Sequence, residues 1–172
     1  MDAMSIMKYG QRTVLKTLEE FPTAAVELSG ACGFWSVKDI ISHLASYELA
    51  LIDAFSTFVG GGPTPYLDKL TGEGGQAFND AEVSRRHGMP LREVLTEFED
   101  AHRRALALAE KIPPELFVKA GTLPWYGMEY ALDDYIVYQF YGHKREHSAQ
   151  IAAFRDVIEH KPAEAQAAWA RR

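Results

Sequence analysis

The chain has 172 residues and a mass of 19.3 kDa, which predicts a single domain over residues 1–172, able to bury a core without disulfide staples. Its apolar fraction of 47% excludes a disordered chain. Eighteen basic residues against 24 acidic ones leave a net charge of −6, which argues against a nucleic-acid partner, because phosphate binding needs a cationic surface.

The N-terminus lacks the basic-then-apolar order of a secretory signal. No run of about 20 apolar residues is present to span a membrane. The expectation is therefore a cytoplasmic protein with no membrane partner. The first helix is predicted from about Asp2 to Phe21, ahead of Pro22, with Met7, Val14, Leu18 and Phe21 at helical spacing. Asp2 and Ser5 are the candidate caps. Cys32 follows in a predicted loop. As the only cysteine it permits neither an intramolecular disulfide nor a multi-cysteine zinc cluster, and no role is assigned to it.

Ser36-Val-Lys-Asp39 reads as a capping-box start to the second helix. Its apolar stripe runs from Val37 to Val59, and Gly60-Gly-Gly62-Pro63 ends it. About 30 residues then lead to the third helix, far more than a usual helix–helix loop. Gln76–His87 is a candidate short helix within that connector. The third helix is expected to start near Pro90 in the first turn and to close at Pro113-Pro114. The fourth runs from about Glu129 to Glu159, on a stripe of Ile136, Phe140, Ile151, Phe154 and Ile158. In the tail beyond, residues 160–172, Pro162–Arg172 is a candidate extra helix with Trp169 docked on a surface. No segment alternates with period two, and Leu116-Phe117-Val118 is too short for a strand. The fold class is all-α, most simply a four-helix bundle over about residues 2–159, with a connector long enough to cross over.

Six histidines carry the functional reading. His143 and His147 fall in the middle of the fourth stripe, four residues apart, and so stack on one helix face. Two imidazoles at the centre of an apolar face need partners, and a shared metal ion satisfies both. Hydrogen bonds to tyrosines or backbone across the bundle are the alternative. Further ligands must come from other helices. His43, with Asp39 and Tyr47 one turn either side, and His102, between Phe98 and Leu106, both qualify, and spacing does not separate them. His87 and His160 lie where solvated histidines are ordinary. Glu48, at the centre of the second stripe, needs a histidine or an arginine inside the bundle, or else a salt bridge at its edge.

The segment Phe34-Trp-Ser-Val-Lys-Asp-Ile-Ile-Ser-His43-Leu-Ala45, followed by Glu48, resembles the start of helix two in the DinB/YfiT-like superfamily. Tyr141-Gly-His143-Lys-Arg-Glu-His147-Ser-Ala-Gln-Ile151 resembles the end of the same signature. The similarity extends over about residues 5–158. It implies an up-down-down-up four-helix bundle, often homodimeric. It also implies a divalent metal held by His43, His143 and His147, with His102 left as a core or supporting residue. Zinc is the first expectation, and nickel, manganese and iron also suit imidazole. His143-Lys-Arg-Glu146-His147 also matches the inverted-zincin pattern, but only 25 residues follow it, too few for the distant glutamate those proteases need.

Three neutral ligands leave the charge of the ion uncompensated and a coordination position free, which is a catalytic rather than a structural pattern. Tyr47, Gln139 and Glu146 are the candidate catalytic residues, Tyr135 and Tyr138 further hydrogen-bond sources, and Trp35 and Trp125 candidate walls. Characterised members of the family that the chain resembles include bacillithiol and mycothiol S-transferases and maleylpyruvate isomerases. The resemblance therefore implies a small-molecule enzyme that activates a low-molecular-weight thiol cosubstrate or water. The alternatives are a metal-dependent hydrolase of a toxic small molecule and a non-catalytic, stress-related ligand-binding protein.

Overall fold

The computed structural model describes residues 2–160; the tail helix and the docking of Trp169 lie outside the described residues. Every regular element among the described residues is helical, apart from one isolated bridge between Cys32 and Trp35. Helix α1 spans Ala3–Glu19, α2 Val37–Ser56, α3 Pro65–Gly72, α4 Gly75–Arg86, α5 Leu91–Ala109 and α6 Pro114–Phe117. The last long helix is continuous from Leu132 to His160. It comprises α7 (Leu132–Ile136), a π-helical stretch (Val137–Gly142) and α8 (His143–His160).

The caps follow the sequence closely. Asp2, rather than Ser5, caps α1 by accepting from the Met4 amide at 3.2 Å. Ser36 Oγ accepts from the Asp39 amide at 3.1 Å, while Asp39 Oδ2 accepts from the Ser36 amide at 2.9 Å, completing the capping box of α2. Other boundaries differ. Helix α1 stops at Glu19, so Phe21 is buried from the following turn. Helix α2 stops at Ser56, because the hydroxyls of Ser56 and Thr57 bond carbonyls three residues back and the glycines follow. Pro90 is the N-cap of α5 rather than a first-turn residue. The fourth helix begins at Leu132, not Glu129.

The connector holds two helices where one was expected. Asp53 on α2 accepts from the amides of Tyr66 and Leu67 at 2.7 and 3.1 Å, fixing the start of α3. Helix α4 is clamped to α5 by Arg86, which is 0% exposed. Its guanidinium donates to both carboxylate oxygens of Glu97 (2.7 and 2.8 Å) and to Glu82 (2.9 Å). Such a planar, multiply bonded arrangement is what makes a buried arginine tolerable.

Helix α2 packs along α5, and α1 along α8. The apolar core falls into two clusters. One contains Met7, Leu49, Ile52, Ala105, Ile136 and Phe140; the other contains Val14, Leu44, Phe98, Ile151 and Phe154. Gln11, Glu48 and Lys144 lie between them in sequence order on α1, α2 and the last helix, and His102 follows the change of cluster on α5; all four are buried. A polar layer thus crosses the middle of the molecule, and the candidate site lies at one end of it.

Candidate metal centre

Helix α2 supplies His43, and α8 supplies His143 and His147. His43 Nε2 lies 2.7 Å from His143 Nε2, and His147 Nε2 lies 3.0 Å from the same atom. One ligand atom from each of the three converges within 4.8 Å, the only such group of metal-binding side chains among the described residues. Trp35 packs on His43 with ring centroids 4.9 Å apart. Tyr47 packs edge-on against His43 and His143 at 4.7 and 4.6 Å. These rings keep water from most of the cluster.

The outer nitrogens show what the inner ones can do. His147 Nδ1 faces Gln150 Oε1 at 2.8 Å. His143 is bonded by the backbone of Gln139, in the π-helical stretch. Asn79 on α4 lies beside His43, and His43 Nδ1 and Asn79 Oδ1 are both buried and close no direct hydrogen bond. A carbonyl oxygen only accepts, so each facing Nδ1 carries the hydrogen. The three Nε2 atoms then point lone pairs at one another with no hydrogen between them. A cation resolves that arrangement, and neutral imidazoles with Nδ1–H held from outside form a suitable donor set.

Burial, and then the neighbouring imidazoles, push the pKa of His43 down from its usual value to about 2. Burial, His147 and Lys144 push His143 down to about 3. Burial also lowers His147, against the opposing effects of Gln150 and Glu146. The trio is therefore neutral at pH 7 and able to ligate.

An open cavity of about 390 Å³ lies against the cluster, lined by Tyr47, Tyr138, Gln139, Gly142, His143 and Glu146. It brings together the three residues singled out as candidate catalytic groups, Tyr47, Gln139 and Glu146. Burial raises the pKa of Tyr47, keeping its hydroxyl protonated. The Gln139 side chain bonds Tyr126. Glu146 is exposed. Trp125 does not line the cavity: it packs on Tyr135 (5.1 Å) and on Tyr126 (6.4 Å), the residue that Gln139 bonds. Tyr135 is itself buried in the core, within electrostatic reach of Tyr47.

His102 is not in the triad. Its Nδ1 donates to Glu48 Oε2 at 3.1 Å, and the other Glu48 oxygen pairs with Lys144. The cation inside the bundle is thus a lysine, not an arginine. Lys144 escaped notice in the sequence because it stands between two histidines in a run that reads as solvated. His87 and His160 are exposed, as expected. Burial first, and then Glu146, raise the pKa of Cys32, which argues against an activated thiol.

The fold and site define an all-helical protein with a three-histidine cluster compatible with metal binding. The family model of the DinB superfamily matches residues 7–151, and the chain belongs to that superfamily. No curated protein and no solved structure matches it.

Proposed function

We propose that this chain is a metal-dependent small-molecule enzyme of up-down-down-up bundle topology in which His43, His143 and His147 hold one divalent cation, most simply zinc. The observation that carries this reading is the convergence of three Nε2 atoms at 2.7 and 3.0 Å, with His143 and His147 bonded from outside and His43 Nδ1 buried beside Asn79. When bound, the ion supplies positive charge that lowers the pKa of a thiol or water towards neutrality.

The chain's own residues supply the rest. Trp35 and Tyr47 exclude water from the inner face of the histidines. The protonated Tyr47 hydroxyl offers a hydrogen bond to substrate in the cavity. Gln139 and Tyr138 shape the opposite wall. The exposed carboxylate of Glu146 can take up a proton at the cavity mouth and pass it to solvent. A small thiol as cosubstrate is the leading reading. The water-using hydrolase is the second, favoured by the position of Glu146. A homodimer is part of the proposal, carried over from the family resemblance.

The test is elemental analysis of purified protein beside His43→Ala and His102→Ala. Wild type should carry about one divalent ion per chain, His43→Ala none, and His102→Ala an amount near wild type. Loss in both variants would point to a closed four-histidine site of structural character. Absence of metal in wild type, with no stabilisation by added divalent ions, would refute the reading. Thiol-dependent turnover of a model electrophile then separates the transferase from the hydrolase, and binding without turnover would favour the non-catalytic alternative.

A further inference from the structure

The polar layer has a second end. A groove of about 480 Å³ lies between α1 and α5, lined in part by Gln11 and His102. Each of these side chains is only 6% exposed. Both amide atoms of Gln11, and His102 Nε2, are buried with no hydrogen-bond partner. Buried polar groups are almost always paired, so three orphaned atoms from two neighbouring residues mark a place where a ligand belongs. The groove is also cationic. Lys8, Arg12 and Lys16 line it, against Glu19 as the only acid, on a chain whose net charge is −6.

We propose that this groove binds a small phosphate carrying an O–H, either free hydrogen phosphate or a hydroxylated phosphate monoester. The charge of the ligand matches the three rim cations. Its O–H and P–O groups match an amide that both donates and accepts. His102 Nδ1 is already committed to Glu48. Its Nε2 therefore accepts the ligand O–H when the ring is neutral and donates to a phosphate oxygen when the ring is charged. A bound water would satisfy Gln11 or His102 but would leave the three cations without a role. The long rim side chains are solvent-exposed and free to swing aside for entry. The groove opens on α1 and α5, whereas the histidine triad sits on α2 and α8, so this site is independent of the proposed metal.

Isothermal titration of the purified protein with inorganic phosphate and, separately, glycerol 3-phosphate tests the proposal. Saturable one-to-one binding is expected, weakened about tenfold by Gln11→Leu, since each lost hydrogen bond to a charged group is worth about that much. Lys16→Glu touches no core residue and should weaken binding at least as far, which keeps the test open if Gln11→Leu folds poorly. Binding should persist in His147→Ala, and ligand should shift the side-chain nitrogen resonance of His102. The tighter of the two ligands identifies the source of the phosphate. Loss of binding in His147→Ala would assign the anion to the triad and overturn the groove. So would unchanged affinity in Gln11→Leu and Lys16→Glu, or no saturable binding of either ligand up to about 10 mM.

Discussion

Single residues decide whether the polar layer holds together. A Cβ built on Gly10 would stand 3.4 Å from Lys144 Cδ and from the Tyr141 ring. Gly10→Ala therefore fits, and relief of the glycine entropy cost should leave stability unchanged or raise it by up to about 1 kcal/mol. Gly10→Leu drives into the lysine that neutralises Glu48 and should cost about 1–3 kcal/mol by urea unfolding. Equal stability of the two variants would show that Lys144 is not packed as described. Gln150 presents a different case, since it touches His147 from outside the cluster. Gln150→Leu should weaken zinc binding about 10- to 100-fold in competition with a chelator. It should also lower the metal-free stability by about 1–3 kcal/mol, because His147 Nδ1 loses its acceptor; unaltered zinc affinity would remove Gln150 from the supporting set.

At the scale of elements, the sequence reveals the helices that carry their own signals and hides those fixed from afar. The capping box of α2 is a local pattern and is where the spacing puts it, whereas α5 buries Val94, Ala101 and Ala105 and leaves Leu91, Leu95 and Leu106 only partly covered. Helix α3 buries only Leu67 and depends on the Asp53 carboxylate thirteen residues upstream of Tyr66, so no local pattern announces it. The π-helical stretch did leave a trace. Leu132, Ile136, Phe140 and Lys144 are buried at three successive steps of four. Each such step drifts about 40° in an ideal α-helix, and three amount to roughly one residue's rotation. One extra residue in the π-helical turn restores the phase, and the histidines then meet His43. The triad itself was legible only with help: spacing picked out His143 and His147, and the family resemblance chose His43 over His102. Lys144 as the partner of Glu48 was not legible, since no rule of spacing links α2 to α8. The clamp on α4 gives this scale its prediction. Arg86→Met removes the fully buried cation from Glu82 and Glu97, leaving Glu82 with Arg85 at 3.2 Å and Lys69 at 3.8 Å, and should destabilise the protein by about 3 kcal/mol in urea unfolding. Because α4 carries Asn79 and Phe78 to the site, zinc affinity should fall as well. Wild-type zinc affinity in that variant would uncouple the connector from the triad.

For the whole molecule, burial of the triad ties stability to pH. The unfolded chain protonates its histidines near 6.5, whereas the folded chain holds His43 down to about 2 and His143 to about 3. Between those values the unfolded state binds more protons, so stability rises with pH across the window. It is complete above about 6.5 and is lost progressively as the pH falls towards 3. Glu48, held below its usual value by Lys144 and then His102 despite burial, adds a loss of the same sign below about 4.5. Metal-free protein should therefore melt at a constant temperature between about pH 8 and 7 and at steadily lower temperatures below about 6.5. Zinc bound at the proposed site should oppose this loss, since a ligand at 100 times its dissociation constant adds about 2.7 kcal/mol to the folded state. That protection should itself fade in acid, because protons compete for the same Nε2 lone pairs. In His143→Gln the chelator-treated protein loses one of the two most depressed histidines and should show a shallower dependence. Thermal unfolding of both proteins, with and without zinc, separates these effects. A wild-type melting temperature that stays flat between about pH 7 and 5 without metal would show that the histidines are not held neutral by the fold.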